Sequence, residues 1–461
     1  MIKKKYAEIA EMLNIDYDKR YADVLVEGVS IDTRSIVKNN LFVPLKGERV
    51  DSHDFVSVAI ENGASVVLWN RSIKSPPTDY PVLFVEDTRQ ALSDLAAAYR
   101  KQCSYIAIGI TGSNGKTSTK DMIAGVLSQK YKVQKTSGNH NNEIGVPLTL
   151  LAFDEDCEIG VIEMGMENLH EIEELSNIVK PDMGVITNVG VAHLENLGSM
   201  ENIAKAKCEL IEGIKQGGYL FYNGDDKLIQ QAVQTHDCAR LHKATFGHDS
   251  KNDCHLYEFR QDEKGIHFKT SLSEETFTCH IYGEHQAMNA CAAILCAKQL
   301  GLTDKEIQQG FLKVENTGMR NELEKVGHCL ILNDAYKSNP QSALAALATF
   351  EHFESPYKIV VLGDMLELGP TSPQLHEELG EACQDYQMDE LYCIGDMAQH
   401  IAIGASRTCS CRIHSYLDRN ELYEAIKDFT KKDCMMLVKG SRGMKLDEVI
   451  NQLKEKGECY E

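Results

Sequence analysis

A short glycine-rich stretch between an apolar run and a helical pattern limits the possible folds of this chain more than any other part of it. Residues 105–110 are apolar and predict a buried strand, and residues 111–118 read TGSNGKTS. Glycines let the backbone turn its N–H groups toward phosphate oxygens, and the N-terminus of the next helix adds a favourable dipole. We therefore expect a strand, a phosphate-binding loop and a helix, as in nucleotide-binding α/β domains.

The loop residues have expected roles in binding a nucleoside triphosphate. Lys116 is expected to reach the β- and γ-phosphates, and the Thr117 hydroxyl is expected to bind Mg²⁺. Ile110 stands where the common pattern has its first glycine, so the loop is a variant. A phosphate loop alone does not separate a kinase, a ligase, a GTPase switch or a mechanical ATPase. The predicted nucleotide-binding residues of this stretch are Gly112, Ser113, Asn114, Gly115, Lys116, Thr117 and Ser118.

Composition excludes several other classes of protein. The chain has 48 Lys and Arg against 69 Asp and Glu, a formal net charge of −21, which argues against a nucleic-acid partner. Its 15 cysteines include no CxxC pair, so we interpret them as reduced, mostly buried thiols. We find neither a run of about 18 apolar residues nor a secretory signal, so we expect no membrane insertion and a cytoplasmic location. We also expect a monomer.

Apolar strand-like runs alternate with helical patterns along the chain, which predicts an α/β fold. At 461 residues the chain has room for about three domains. We expect a small α/β domain at residues 1–103, a central parallel-sheet domain with the phosphate loop at 104–316, and a Rossmann-like domain at 317–461. No Gly-x-Gly-x-x-Gly follows the first strand of the third domain, so dinucleotide binding is not favoured there.

Two polar residues follow predicted strands of the central domain. Glu163 ends the strand at residues 158–163, and His193 comes shortly after the strand at 183–188. Carboxyl ends of parallel strands meet at one sheet edge, where ligand sites form, and Mg²⁺ prefers oxygen ligands. Glu163 and His193 are therefore candidate metal ligands; the alternatives are a helix-capping glutamate and a structural histidine.

The helix predicted at residues 200–214 carries a lysine on its apolar face. Ile203, Leu210 and Ile214 lie at helical spacing, and Lys207 falls within that stripe while Lys205 does not. A buried lysine is costly unless it is paired or chemically altered, and it loses its proton easily. Reaction with CO₂ would give a carbamate that binds a metal or orients another lysine. The alternative is a lysine whose ammonium reaches solvent.

Further motifs, spread over essentially the whole chain, complete the pattern. In the first domain they are SIDTR at 30–34, LFVPLKGE at 41–48 and DSHDF at 51–55. The central domain has TSGNHNNEIGVP at 136–147, GEHQAMN at 283–289 and GMR at 318–320. The third has LNDAYKSNP at 332–340, LGDMLELG at 362–369 with His376 downstream, and VKGSR at 438–442. Together these motifs resemble the Mur ligase family.

The resemblance assigns further roles residue by residue. Within LNDAYKSNP, Asn333, Lys337 and Ser338 depart from the family pattern Asp-Asp-x-Tyr-Asn-Ala-Asn-Pro. Asn289, Arg320 and Asp334 are expected to bind the nucleotide. Glu367 and Arg442 are expected to bind the incoming amine substrate. The residues expected to bind the UDP-linked substrate are Ser30, Thr33, Arg34, Lys46, His53, Thr136, Asn139 and Asn142.

The resemblance implies an ATP-dependent ligase that joins D-alanyl-D-alanine to UDP-N-acetylmuramoyl-tripeptide through an acyl phosphate. Lys116, Glu163, His193 and Lys207 would be catalytic. One Mg²⁺ would lie at Thr117 and Glu163, and a second at His193 and carbamylated Lys207. The alternatives are the Mur ligase that adds the third residue, an amide ligase of folate or polymer metabolism, and a nucleotide-dependent switch or partner-binding ATPase.

Overall fold

The computed structural model describes residues 1–47, 49–314 and 317–457 and has the predicted α/β architecture, with three sheets of mainly parallel strands in succession along the chain. The first part carries a parallel four-stranded sheet in the order β3-β4-β5-β6 and an antiparallel β1-β2 pair. Its strands are β1 Lys3–Lys5, β2 Leu25–Glu27, β3 Val29–Ser30, β4 Asn40–Phe42, β5 Ala64–Asn70 and β6 Val82–Val85. Its helices are α1 Tyr6–Met12, α2 Val56–Glu61 and α3 Thr88–Gln102.

The central part is built on a nine-stranded sheet. Its strands are β7 Ile106–Thr111, β8 Val133–Lys135, β9 Ile159–Glu163, β10 Met183–Ile186, β11 Tyr219–Asn223, β12 His242–Gly247, β13 Cys254–Asp262, β14 Gly265–Thr270 and β15 Phe277–Cys279. Its helices are α4 Lys116–Leu127, α5 Gly145–Ala152, α6 Glu171–Val179, α7 Leu194–Leu197, α8 Met200–Cys208, α9 Leu210–Gly213, α10 Lys227–Gln234, α11 Glu284–Gln299 and α12 Asp304–Phe311. The order is β15-β14-β13-β12-β11-β10-β7-β9-β8, so the strand that leads into the phosphate loop lies between β9 and β10. At the far end of this sheet, β13, β14 and β15 pair antiparallel.

The third part has a six-stranded sheet in the order β16-β17-β21-β18-β19-β20, parallel except for the edge strand β16. Its strands are β16 Glu322–Val326, β17 Cys329–Asp334, β18 Lys358–Gly363, β19 Glu390–Ile394, β20 Arg412–Tyr416 and β21 Cys434–Lys439. Its helices are α13 Pro340–Glu351, α14 Ser372–Ala382, α15 Ala398–Thr408, α16 Arg419–Ile426 and α17 Leu446–Gly457.

The first and central parts share one apolar core. This core contains Leu92 and Leu95 of α3 together with Leu150 of α5 and Leu175 of α6. The third part has its own core on each face of its sheet. It meets the central part through polar contacts around a cavity and through Val191 and Tyr282, which pack against one of its cores. The domain with the phosphate loop thus shares a core with the first part, while the third part contacts it over a smaller, mixed surface.

The predicted boundary between residues 103 and 104 falls in the link between α3 and β7. The boundary at residue 316 and the chain end at 461 lie outside the described residues. The helix predicted at 200–214 is instead two helices, α8 and α9, which meet at Glu209. None of the helices that the structure describes is long and apolar enough to cross a lipid bilayer.

Candidate active site

The carboxyl ends of strands from two sheets face one cavity of about 890 Å³. In the central sheet, β7 pairs with β9 and β10, so their last residues lie side by side. In the third part, β17 and β18 both pair with β21 in parallel. Loops that follow parallel strands carry the ligand-binding residues of open α/β sheets, so the topology itself gathers them here.

The phosphate loop requires glycine at two positions. Gly112 has φ +153° and Gly115 has φ +79°, where side chains are rarely tolerated. A Cβ at Gly112 would lie 1.8 Å from Thr187 Oγ1, and one at Gly115 would lie 2.6 Å from Asn289 Oδ1. Asn188 holds the turn by accepting from the Asn114 N–H through Oδ1, 2.9 Å away. The loop is therefore preorganised and packed directly against the predicted adenine-side residue Asn289.

Lys116 begins α4 and folds back over the loop. Its ammonium donates to the Gly112 carbonyl at 2.7 Å. Burial and, to a smaller extent, the nearby Lys337 ammonium lower the pKa of Lys116 to about 8, against the opposing effect of Glu163. A bound anion would relieve this repulsion between cations, so the site is built to receive negative charge.

Glu163 is the centre of a compact oxygen-rich cluster. It is 1% exposed, and its Oε2 accepts from the Thr117 hydroxyl at 2.9 Å, while Oε1 accepts from Asn141 Nδ2 at 2.8 Å. The ammonium of buried Lys120 lies 3.8 Å from Oε2. A carboxylate and a hydroxyl beside a phosphate loop match what Mg²⁺ takes from proteins, with ligand phosphates and water as its other partners. Thr117 and Glu163 thus fit the first predicted metal ion.

His193 lies at the contact between the central and third parts. Its Nε2 is 3.3 Å from the Lys337 ammonium, and its Nδ1 is 3.2 Å from Glu367 Oε2. Burial, with smaller contributions from the Lys337 and Lys116 ammonium groups, lowers the pKa of His193 to about 3. The predicted second metal site therefore has its imidazole already engaged by residues of the third part. No group of three or more His, Cys, Asp or Glu side chains within residues 1–47, 49–314 and 317–457 is arranged to hold a metal ion.

The expectation that Lys207, and not Lys205, lies on the buried face of its helix is confirmed. Lys207 is 2% exposed, whereas Lys205 is exposed. Burial lowers the pKa of Lys207 well below its ordinary value, and the Lys116 and Lys337 ammonium groups lower it further. Lys207 is therefore a buried amine near two other lysines of the cavity.

The predicted nucleotide side chains line the same cavity. The Arg320 guanidinium stacks on the Tyr336 ring at 3.8 Å, and its buried Nη1 has no partner among the described residues. Asp334 Oδ2 is 2.6 Å from the buried Lys439 ammonium. Asn289 Nδ2 donates to Gln286 Oε1 at 3.0 Å. A buried arginine donor that has no partner among the described residues is suited to an oxygen of an anionic ligand.

Some residues of the loop after β8 line the cavity, and others support the surrounding structure. Asn139 and Asn142 line the cavity, and Asn142 Oδ1 also accepts from the Gly145 N–H at the start of α5, at 2.9 Å. Thr136 is fully buried, and its hydroxyl accepts from the Glu163 N–H at 3.0 Å. The expected substrate contact of Thr136 is therefore corrected: this side chain supports the strand end that carries Glu163.

The predicted residues of the first part lie away from this cavity. Ser30 ends β3, and its hydroxyl donates to the Asp32 carbonyl at 2.9 Å. His53 is buried, with Nδ1 2.7 Å from Asp51 Oδ1, while Nε2 accepts from the N–H of Asn70 at the end of β5. These contacts place both residues at the carboxyl edge of the small sheet. Thr33, Arg34 and Lys46 follow β3 and β4 on the same side, and Arg34 and Lys46 are exposed.

Two strand-end loops of the third part meet beside the cavity. Glu367, after β18, lines the cavity, and the Leu366 N–H donates to Ser441 Oγ, after β21, at 3.0 Å. Arg442 is exposed and its guanidinium lies over the Tyr336 ring at 5.3 Å. The two motifs that suggested an amine-binding surface are thus adjacent in space.

Several residues of the site were not singled out by sequence reasoning. Asn141 contacts Glu163, and Asn321 Nδ2 donates to His285 Nε2 at 3.0 Å, where burial lowers the histidine pKa to about 4. Lys337 touches His193. Asn141, His285 and Lys337 lay inside recognised motifs but had no assigned role. Asn321 carried no signal beyond following Arg320.

Comparison with known proteins covers nearly the entire chain. Residues 25–100 match the description "Mur ligase family, catalytic domain", residues 110–297 "Mur ligase middle domain", and residues 319–442 "Mur ligase, glutamate ligase domain". The UDP-N-acetylmuramoyl-tripeptide--D-alanyl-D-alanine ligase of Bacillus subtilis is 43% identical over 459 residues, which is 99% of each chain.

Comparison with solved structures agrees with the comparison of sequences. A crystal structure of MurF from Acinetobacter baumannii superimposes with a TM-score of 0.89 at 27% identity, covering 99% of both chains. The MurF ligase from Thermotoga maritima, in complex with ADP, gives a TM-score of 0.83 at 27% identity over 95% of this chain and 99% of that one. The three-part arrangement is therefore shared with these structures.

Proposed function

The chain belongs to the Mur ligase family, and we propose that it is the ATP-dependent ligase that adds D-alanyl-D-alanine to UDP-N-acetylmuramoyl-tripeptide, a step in making peptidoglycan precursors. One feature of the geometry gives this proposal its main support. A phosphate loop and the strand-end loops of a second sheet open onto a single cavity, so a triphosphate and an acceptor amine can meet there. Because the reaction consumes ATP, we place the enzyme in the cytoplasm.

The proposed reaction has two steps. The terminal carboxylate of the tripeptide attacks the γ-phosphorus of ATP, the bond to the β-phosphate oxygen breaks, and ADP leaves. The amine of D-alanyl-D-alanine then attacks the acyl carbon, a C–N bond forms, and inorganic phosphate leaves with the C–O bond electrons. Both steps bring anions together, so catalysis depends on positive charge that is fixed before they bind.

The residues of the phosphate loop suit the first step. Lys116 already lies over the loop, where its ammonium can contact the transferred phosphoryl group. Thr117 and Glu163 would hold Mg²⁺, which would act as a Lewis acid on the phosphate oxygens. Arg320 has a buried donor without a partner among the described residues, and Asp334, which lines the cavity, would accept from the ribose hydroxyls. These roles remain part of the proposal.

The first part is proposed to hold the UDP end of the tripeptide substrate. Its candidate residues Ser30, Lys46 and His53 lie at the carboxyl edge of the small sheet. Arg89, which follows that sheet, pairs with Glu143 of the cavity lining at 3.2 Å. A substrate bound at this edge could therefore extend along the loop containing Asn139 and Asn142 into the cavity.

Lys207 is proposed to carry a carbamate. Its amine is buried among cations, where the charged form is disfavoured, and the neutral amine is the form that reacts with CO₂. The carbamate would be an anion close to Lys116, and it would hold that ammonium toward the transferred phosphoryl group. In this proposal it orients a lysine.

The test is to supply purified enzyme with ATP, Mg²⁺, the UDP-linked tripeptide and D-alanyl-D-alanine, and to weigh the product. The expected product is heavier than the tripeptide substrate by one dipeptide less one water. ADP release should require both the tripeptide and the dipeptide. Release of ADP without either would favour the switch or ATPase alternative. Use of a single amino acid on the UDP-linked dipeptide would favour the third-residue ligase.

A further inference from the structure

Both ring nitrogens of His193 lie beside residues of the third part. A neutral imidazole has one donor and one acceptor nitrogen, and an ammonium can only donate. The Lys337 ammonium, 3.3 Å away, therefore donates to Nε2, and Nδ1, which then carries the proton, lies 3.2 Å from Glu367 Oε2. The same Glu367 oxygen is 3.5 Å from the Lys337 ammonium, which closes the group of three.

This arrangement leaves no room for a metal ion on His193. A divalent cation would need the imidazole lone pair that already accepts from Lys337. It would also meet the positive charges of Lys116 and Lys337, which are close enough to lower the pKa of His193. The engaged imidazole of His193 therefore does not fit a second Mg²⁺ ion.

The backbone shows that the group is built into the fold. His193 has φ +63° and Glu367 has φ +66°, in the left-handed region that costs energy for a side chain other than glycine. Such strain persists only where the surroundings impose it. Here the strained residues come from different parts of the chain and converge on one lysine.

We propose that the Lys337 ammonium is the second fixed cation of the reaction site, in place of a second Mg²⁺ ion, and that the third part of the chain supplies it by closing on the central part. Lys337 lines the same cavity as Lys116, and because an ammonium has three N–H groups, it can contact a ligand oxygen while one of them donates to His193. It also stands where the family pattern has an uncharged asparagine. The inference rests on the proposed function, since it assumes phosphoryl transfer in this cavity.

The number of metal ions bound per chain tests the proposed role of Lys337 directly, and the measurement needs no turnover. Equilibrium dialysis against Mn²⁺, with the UDP-linked tripeptide and a non-hydrolysable ATP analogue at equal concentration on both sides, counts the ions bound per chain. We expect one ion for the wild type and two for Lys337→Asn, which frees the His193 lone pair. Lys325→Asn, at an exposed lysine of β16, is the matched control and should bind one. Lys337→Met serves as a second variant, and thermal unfolding checks that each is folded.

Kinetics give an independent readout. Removing one fixed cation should lower kcat of Lys337→Asn about a hundredfold at low Mg²⁺, and higher Mg²⁺ should restore much of it. The kcat of the wild type should reach its maximum at a lower Mg²⁺ concentration than the kcat of Lys337→Asn. Two ions in the wild type, or one ion in both Lys337 variants, would overturn the inference. If the wild type forms no peptide product, the proposed function fails; if it forms product while holding two ions, only this inference fails.

Discussion

Replacing Lys207 with methionine should remove activity and at the same time stabilise the protein. Lys207 is 2% exposed and is packed on a helix whose neighbouring residues Ile203, Ala206 and Leu210 belong to the apolar core. Burying a polar group without a hydrogen bond costs about 1–3 kcal/mol in protein substitutions. Methionine is similar in length and carries no polar group, so most of the packing should be kept. The expected gain in unfolding free energy is therefore about 1–3 kcal/mol.

The measurement is a thermal unfolding scan in CO₂-free buffer, in which the lysine is unmodified. A gain of this kind should raise Tm by about 1–2 °C for each kcal/mol in a chain of this size. Peptide-dependent ADP release, measured in bicarbonate, gives the activity. Lys205→Met is the matched control, because Lys205 is exposed two residues away and should change neither quantity. If Lys207 lowers the stability of the fold and is also necessary for turnover, its role in function explains why the chain contains it.

Two further experiments test the carbamate itself. Lys207→Ala should be nearly inactive, unlike Lys205→Ala, and short carboxylic acids should partly restore it by replacing the missing anion. Wild-type protein in ¹³C-labelled bicarbonate should show a carbamate carbon signal that Lys207→Ala lacks. The reasoning is refuted if Lys207→Met keeps near-normal turnover. A lower Tm for this variant would instead contradict the view of Lys207 as an unpaired buried amine.

Three further substitutions test other parts of the site. Lys116→Ala should abolish product formation, a loss of about 10²–10³ or more in kcat, while circular dichroism stays unchanged; a folded variant with normal turnover would remove Lys116 from the mechanism. Arg442→Ala should raise KM for the dipeptide more than KM for ATP, and equal effects on every substrate would point to a structural role. Asp334→Asn should destabilise the third part, by at most about 3–5 kcal/mol, because the buried Lys439 ammonium loses its negative partner and keeps only uncharged acceptors such as the Lys337 carbonyl; the double variant with Lys439→Met should recover most of this loss.

The sequence predicted those features that depend on local pattern. The strand before the phosphate loop, the alternation of strands and helices, and the burial of Lys207 follow from hydrophobic periodicity, which the chain carries in itself. Periodicity is weaker at sheet edges. β20, Arg412–Tyr416, is an edge strand whose residues are exposed or half-buried, so it lacks the apolar run that identifies a central strand.

Features that depend on contacts between distant segments could not be predicted. The break between α8 and α9 is one example. Glu209 lies at the junction, where its carboxylate accepts from the His170 N–H at the start of α6, a contact 39 residues away in sequence. The contact of Lys337 with His193 is another, because it joins residues 144 positions apart and arises only when the two sheets face each other. Thr136 shows the limit of transferring roles by motif, since its position in the motif did not reveal that its side chain points into the protein.

The charges around the cavity suggest how substrate binding and domain contact are linked. In a chain with a net charge of −21, the Lys337 ammonium lies close enough to lower the pKa of Lys116. Lys116 belongs to the central part and Lys337 to the third, so their repulsion opposes the contact between the parts. A triphosphate or an acyl phosphate in the cavity converts that repulsion into attraction. Anionic substrates should therefore favour the closed arrangement, and closure in turn should complete the set of cations that the phosphoryl transfer requires.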